Sequence, residues 1–180
     1  MIQYNKIIFT GPVGAGKTTA ITSISDVPPI KTDELATDMT KNRKGSTTVA
    51  LDYGVMILPG GEKIHLYGTP GQERFDFMWD ILTTGGIGLV LLLDNTRADP
   101  FQDLRFFLNK FSGFIKDTSL VVGVTQMDIR ATPVLSDYHK QFVGTGLNPP
   151  IFEVDARRKK DVSLLVQALL YSIDPGLEDQ

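Results

Sequence analysis

Short apolar runs alternate with amphipathic stretches along this chain, and the alternation predicts strands and helices in turn. Lys6 to Thr10 reads as a strand, followed by a glycine-rich turn and a helix from about Lys17 to Ser25. Asp26 to Ser46 is polar, with two prolines and the cluster Lys41-Asn42-Arg43-Lys44-Gly45, and reads as a long surface loop. Thr48 to Leu58 and Lys63 to Tyr67 read as strands joined at the turn Pro59-Gly60-Gly61. A helix follows Gln72 and ends near Thr84, before Gly85-Gly86. Leu89 to Leu93 is a continuous apolar run, as expected of a strand buried on both faces. Pro100 to Phe114 reads as a helix started by Asp99-Pro100. Leu120 to Thr125 is a second buried strand, Pro133 to Phe142 a helix, Ile151 to Val154 a short strand, and Asp161 to Ile173 a closing helix.

This order predicts an α/β fold with a mostly parallel sheet of about six strands, one antiparallel edge strand and about five flanking helices. In such sheets ligands sit beyond the carboxyl ends of the strands. The motifs treated below each follow a strand, so they are expected at one edge.

Composition narrows the picture. The 180 residues suit one domain, with a short disordered tail expected near 175–180. Apolar residues are 42%, enough for a core, and the net charge is only −3, which offers no footprint for nucleic acid or an anionic surface. No cysteine is present, which excludes disulfides, thiolate zinc sites, prenylation and palmitoylation. The opening Met1-Ile2-Gln3 carries neither a myristoylation glycine nor a signal pattern. The expectation is a cytoplasmic protein with no direct membrane anchor.

The first chemical motif is Gly11-Pro12-Val13-Gly14-Ala15-Gly16-Lys17-Thr18, which satisfies the spacing Gly-x-x-x-x-Gly-Lys-Thr. Such a loop turns successive backbone N–H groups toward phosphates, and the helix N-terminus adds positive dipole there. Lys17 is expected to bridge the β- and γ-phosphate oxygens and Thr18 to coordinate Mg²⁺, with Gly14, Ala15, Gly16 and Thr19 also against the nucleotide. The loop alone does not choose between ATP and GTP.

Thr125-Gln126-Met127-Asp128, just after a strand, is the candidate base-reading segment, the alternative being that Asp128 caps a turn. A carboxylate at Asp128 can accept from both N1–H and the 2-amino group of guanine, and adenine offers neither donor at those positions. Each hydrogen bond to a charged group is worth about 1.5–3 kcal/mol, so the pair favours guanine at least roughly tenfold per bond. Asp155-Ala156-Arg157, after the last strand, offers the Ala156 N–H to guanine O6.

Together these residues resemble the Ras superfamily of small GTPases, built on a P-loop NTPase G domain. The resemblance runs over nearly the whole chain. It is greatest to the Arf and Rab branches, and to bacterial small GTPases related to the gliding-polarity GTPase and the signal-recognition-particle receptor β subunit. In that family the base motif is Asn/Thr-Lys-x-Asp, and here Gln126 replaces the lysine whose stem covers the base. Asp155 stands where the family has serine in Ser-Ala-Lys. Thr48-Val49-Ala50-Leu51-Asp52-Tyr53 resembles the end of a first switch, which implies that Thr48, or else Thr47, closes over Mg²⁺ and the γ-phosphate. Gly68-Thr69-Pro70-Gly71-Gln72-Glu73-Arg74-Phe75 resembles the second switch, which implies a Gly71 N–H on the γ-phosphate and Gln72 orienting the attacking water.

Two positions depart from the family. Gly68 replaces the aspartate that holds Mg²⁺ through water. Either the ion keeps an extra water or another carboxylate reaches in, Asp52 and Asp94 being the candidates, and both residues suit plain turn or capping roles equally. Val13, a branched residue near the γ-phosphate, implies slow hydrolysis. Arg43 in the long loop is a candidate arginine finger in cis, or an ordinary solvated charge. The leading expectation is a GTP/GDP switch with slow, partner-assisted hydrolysis and a regulator or effector protein as partner. The resemblance adds a Roadblock-type co-regulator. The alternative is a nucleotide-binding scaffold with negligible hydrolysis.

Overall fold

The apolar runs become the centre of one sheet. β1 (Asn5–Thr10), β5 (Gly86–Asp94) and β6 (Ser119–Thr125) are almost wholly buried, because helices cover both of their faces. The computed structural model describes residues 5–28, 30–31, 51–71 and 76–174.

Within these residues the other strands are β2 (Ile30–Lys31), β3 (Asp52–Ile57), β4 (Lys63–Gly68) and β7 (Ile151–Glu153), and the spatial order is β2-β3-β4-β1-β5-β6-β7. Strands β4, β1, β5, β6 and β7 run parallel, whereas β3 is antiparallel to β4. The six expected strands are all present. The two-residue β2 lies in the stretch read as loop and pairs antiparallel with β3, so β3 is one strand in from the edge. The β3–β4 turn closes with the Gly61 N–H donating to the Leu58 carbonyl at 2.8 Å.

The helices are α1 (Lys17–Ile24), α2 (Phe77–Thr83), α3 (Pro100–Lys110), α4 (Ser112–Asp117), α5 (Leu135–Lys140) and α6 (Lys159–Ile173). Asp99 caps α3 as its sequence suggests, accepting from the N–H groups of Phe101 and Gln102. The helix expected from Pro100 to Phe114 divides at Phe111, whose buried ring stacks on Trp79. The following Ser112-Gly113 pair is weakly helix-forming and allows the change of direction.

Two apolar clusters lie on opposite faces of the sheet. Ile7, Phe9, Leu92 and Val121 face Ile21 of α1 and Leu165 and Leu169 of α6. Ile8, Leu89 and Leu91 face Trp79, Leu104, Phe107 and Tyr138. Each such side chain contributes roughly 1.5–3 kcal/mol by burial. This two-sided packing is what aligns the carboxyl ends of β1, β4, β6 and β7 along one edge.

Candidate functional site

The phosphate loop leaves β1 at Gly11 and enters α1 at Lys17. Gly16 holds φ 96°, and a Cβ there would lie 3.0 Å from the Ala156 Cβ, so a larger residue would be both strained and crowded. Lys17 is 8% exposed, and its ammonium donates to the carbonyls of Gly11 at 2.7 Å and Pro12 at 2.8 Å. Burial pushes the Lys17 amine down to about 8, partly opposed by the charge of Asp52. A phosphate entering this loop therefore meets an amine that gains a strong partner on being charged.

The second-switch segment begins against the same loop. The Thr69 N–H donates to the Phe9 carbonyl at 2.9 Å, and the buried hydroxyls of Thr69 and Thr10 lie 2.8 Å apart. A Cβ on Gly71 would come within 2.9 Å of the Lys17 ammonium and 2.8 Å of the Val13 nitrogen. The Trp79 indole N–H donates to the Pro70 carbonyl at 3.2 Å, which ties α2 to this turn. Val13, Gly14, Gly16, Lys17, Thr18, Thr19, Asp52 and Thr69 to Gly71 line a cavity of about 370 Å³. Inside it the Thr18 hydroxyl donates to Asp52 Oδ2 at 2.5 Å.

A second cavity of about 300 Å³ shares Gly14, Gly16 and Thr19 with the first, and extends past Ala15 to Thr125, Gln126, Asp128, Asp155, Ala156 and Arg157. The structure thus brings the phosphate-loop and base-reading residues to one continuous cleft. Thr125 is buried, and its hydroxyl lies within hydrogen-bond reach of the carbonyls of Ala15 and Leu93, at 3.0 and 3.2 Å. Gln126 adopts φ 61°, unusual for a residue with a Cβ, and its amide donates to the Gly14 carbonyl at 3.3 Å. The residue in the family's lysine position thus links the base loop to the phosphate loop.

Asp155 turns its carboxylate away from a serine-like role. It accepts from Arg157 Nε at 2.9 Å and from the terminal guanidinium nitrogen at 2.8 Å, a two-point clamp. These bonds, together with the Arg157 N–H, hold the Asp155 carboxyl down at about 2. The Asp155 N–H in turn donates to Asp161 Oδ2 at 2.9 Å. Asp161, expected at the start of the closing helix, lies in the first turn of α6 and fixes this loop.

Some supporting residues carry no motif. Asn95 is fully buried; its amide donates to the Arg130 and Pro133 carbonyls, and it accepts from the Tyr138 hydroxyl at 2.6 Å. Burial pushes the Tyr138 hydroxyl up to about 12, so it stays a donor. This network braces the loop that carries Asp128. Only the polar interruption at Asn95, after an apolar run, could have signalled it. Thr48 and Thr47, Arg43, Gln72 and Arg74 lie outside the described residues, as does the tail at 175–180.

A glycine-rich loop between β1 and α1, with the segment 68–71 and the loop 125–128 on the same sheet edge, defines a P-loop G domain similar to those of the Ras superfamily. Over residues 28–146 the chain matches the model of a family described as conserved hypothetical ATP binding protein. That is more than half of its length, and the chain belongs to this nucleotide-binding family. Rab-27A of Sus scrofa, a Ras-related protein, is 24% identical over 188 residues, spanning 96% of this chain and 80% of that protein. The GTP-binding protein YPTM2 of Zea mays is 22% identical over 139 residues, 74% of this chain and 68% of that protein. An uncharacterized protein of Methanocaldococcus jannaschii is 33% identical over 98 residues, 54% of this chain and 56% of that protein.

Proposed function

We propose that this protein binds GTP and GDP with Mg²⁺, hydrolyses GTP slowly, and acts as a switch read by a partner protein. The observation that carries the reading is the shared cleft: Lys17 and Thr18 line one end, Asp128 the other, and Gly14, Gly16 and Thr19 belong to both.

The family description speaks of ATP, yet the base end favours guanine. Asp128 is an acceptor, and the purine edge that suits it must present donors. Guanine presents two there and adenine none, so ATP would leave the carboxylate unpaired. The name of the YPTM2 relative, a GTP-binding protein, agrees with guanine.

The residues at the phosphate end fit a hard cation, because the Thr18 hydroxyl and carboxylate oxygens face the same cavity. Thr18, with Thr48 from the first switch, would hold it. When bound, Mg²⁺ neutralises charge on the β- and γ-phosphate oxygens. Lys17 loses its bonds to the Gly11 and Pro12 carbonyls and takes phosphate oxygens in their place. Gly71 lies beside Lys17 and Val13, where its N–H would meet the γ-phosphate, and the resemblance gives Gln72 the attacking water. Hydrolysis then needs only a positioned water, and a rate on the order of 10⁻⁴ to 10⁻² s⁻¹ is expected without assistance.

Val13 favours a second reading, a scaffold with negligible hydrolysis. Its side chain packs beside Gly71, where a Cβ would be 3.0 Å from Val13 Cγ2, so a branched side chain crowds the place where the γ-phosphate would sit. The partner in either case is a regulator or effector protein, with a Roadblock-type co-regulator suggested by the resemblance, and the setting is cytoplasmic.

Single-turnover hydrolysis separates the two readings. Slow GTP turnover that falls about tenfold or more in Gln72→Leu, with GDP affinity kept, supports the switch. Turnover absent from the wild type, alone and with cell lysate, supports the scaffold. Recovery of adenine nucleotide alone from the purified protein would sink both.

A further inference from the structure

Position 68 lacks a side chain, but the space beside it is filled. Gly68 closes β4 directly opposite Asp52, the first residue of β3. Residues paired across an antiparallel ladder point to the same face. A Cβ built on Gly68 would lie 3.0 Å from the Asp52 Cβ, 3.2 Å from Asp52 Oδ2 and 3.1 Å from Ile21 Cδ1. The Asp52 carboxylate occupies the room into which a side chain at position 68 would grow.

Its partner gives that carboxylate a function. Thr18 Oγ1 donates to Asp52 Oδ2 at 2.5 Å. A hydroxyl that offers its lone pairs to a cation must send its proton elsewhere, and a carboxylate behind it is the strongest neutral-pH acceptor available. Asp52 also lines the phosphate cavity with Lys17 and Gly71, so the carboxylate faces the nucleotide and not bulk solvent alone. Asp94 has no such role. Its Oδ1 accepts from the Thr96 N–H at 2.8 Å and the Thr96 hydroxyl at 2.6 Å, closing the turn after β5.

We propose that Asp52 supplies from β3 the metal-side carboxylate that β4 lacks at Gly68, holding the hydrated Mg²⁺ beside Thr18. The assignment rests on the Mg²⁺–nucleotide reading above. Mg²⁺ keeps several waters and is bound through one or two carboxylates plus phosphates, and a carboxylate one hydrogen bond behind Thr18 matches that demand. The same function has moved one strand along the sheet, and the two positions are alternatives. Carboxylates at both 52 and 68 would crowd each other, since a Cβ at 68 already lies 3.0 to 3.2 Å from Asp52 atoms.

The test uses the full chain as wild type, Asp52→Asn, Gly68→Asp and the exchange Asp52→Gly/Gly68→Asp. Two measurements are made: release of a fluorescent GDP analogue with Mg²⁺ in excess or removed by EDTA, and Mn²⁺ affinity of the GDP complex by electron paramagnetic resonance. The wild type should release the analogue roughly tenfold or more slowly with Mg²⁺ than with EDTA, the size of one charge-assisted contact. Asp52→Asn keeps the side-chain shape, and it should release at nearly the EDTA rate under both conditions and bind Mn²⁺ about tenfold more weakly. Gly68→Asp alone should not exceed the wild-type Mg²⁺ effect, whereas the exchange should restore most of the Mg²⁺ effect and Mn²⁺ affinity that Asp52→Asn loses. A purely structural Asp52 would show no such restoration. Equal Mg²⁺ dependence in the wild type and Asp52→Asn, or an exchange protein that binds GDP without regaining the effect, overturns the assignment. GDP bound by no protein at all overturns the functional reading, and this assignment with it.

Discussion

The two ends of the cleft depart from the Ras-superfamily pattern in different ways. At the phosphate end the loop is intact and one carboxylate has gone from β4; a carboxylate on the neighbouring strand stands in the vacated space. At the base end Gln126 and Asp155 are both substituted, and each substitute finds a hydrogen-bond partner of its own. Gln126 reaches Gly14, and Asp155 clamps Arg157 two residues on. At the phosphate end Lys17 is buried and charged, so losing its partners is costly. At the base end Arg157 is 74% exposed, and its pairing with Asp155 is screened by solvent.

The comparison predicts that most of the affinity resides at the phosphate end. Lys17→Ala should be the most damaging change. It removes a buried charge from between the loop carbonyls and the phosphates, which by analogy with broken buried pairs costs about 3–5 kcal/mol. GDP affinity measured by calorimetry should fall at least about 100-fold; a loss under tenfold would break the ranking. The pH dependence follows from the same amine. Burial lowers its pKa to about 8 in the empty protein, while bound phosphate favours the charged form. Above pH 8 binding must therefore take up a proton, and affinity should weaken up to about tenfold per unit. The stability of the empty fold moves the other way. The unfolded chain holds that proton up to about 10.5, so stability should rise between about 8 and 10.5. A Kd flat from pH 7 to 9 would show that the amine is not against the phosphates.

Asp128→Ala should come next. Its loss removes two hydrogen bonds to a charged acceptor, each worth about 1.5–3 kcal/mol when buried and less in an open cleft. GDP affinity should fall about 10- to 100-fold while ADP affinity stays nearly unchanged, so that discrimination collapses. Equal losses for GDP and ADP would show that Asp128 supports the loop and does not read the base.

How much of this was legible in the sequence differs between the two ends as well. Every strand of three or more residues, the phosphate loop and the base loop follow from local pattern, because apolar runs and glycine spacing are local signals. The replacement at position 68 is not local. The sequence left Asp52 and Asp94 as equal candidates, since only the β3–β4 register pairs Asp52 with Gly68, and register depends on a turn seven residues away from either. The Asp155–Arg157 clamp was within reach, lying two residues apart, but was hidden by reading Asp155 only as a substitute for serine. The break at Phe111 depends on Trp79, 32 positions earlier, and no window along the chain contains both.

The smallest effect should come from Gln126→Lys, and it discriminates best between two views of the base end. If the missing lysine weakens the site, restoring it should tighten GDP binding. The substitution adds no new backbone demand, since Gln126 already holds φ 61°. An ammonium in place of the amide would turn the 3.3 Å bond to the Gly14 carbonyl into a charge-assisted one, and its longer stem would cover more of the base. The difference between a neutral and a charged hydrogen bond is roughly 1 kcal/mol, about fivefold in affinity, reduced by solvent screening at this open edge. A gain of two- to fivefold, absent for ADP, would mean that Gln126 leaves the base end short of a contact. No gain, together with a several-fold loss in Arg157→Ala, would mean that the guanidinium held by Asp155 already covers the base. The base end would then have replaced its lost lysine as fully as Asp52 replaces the lost aspartate, with a guanidinium from the loop after β7.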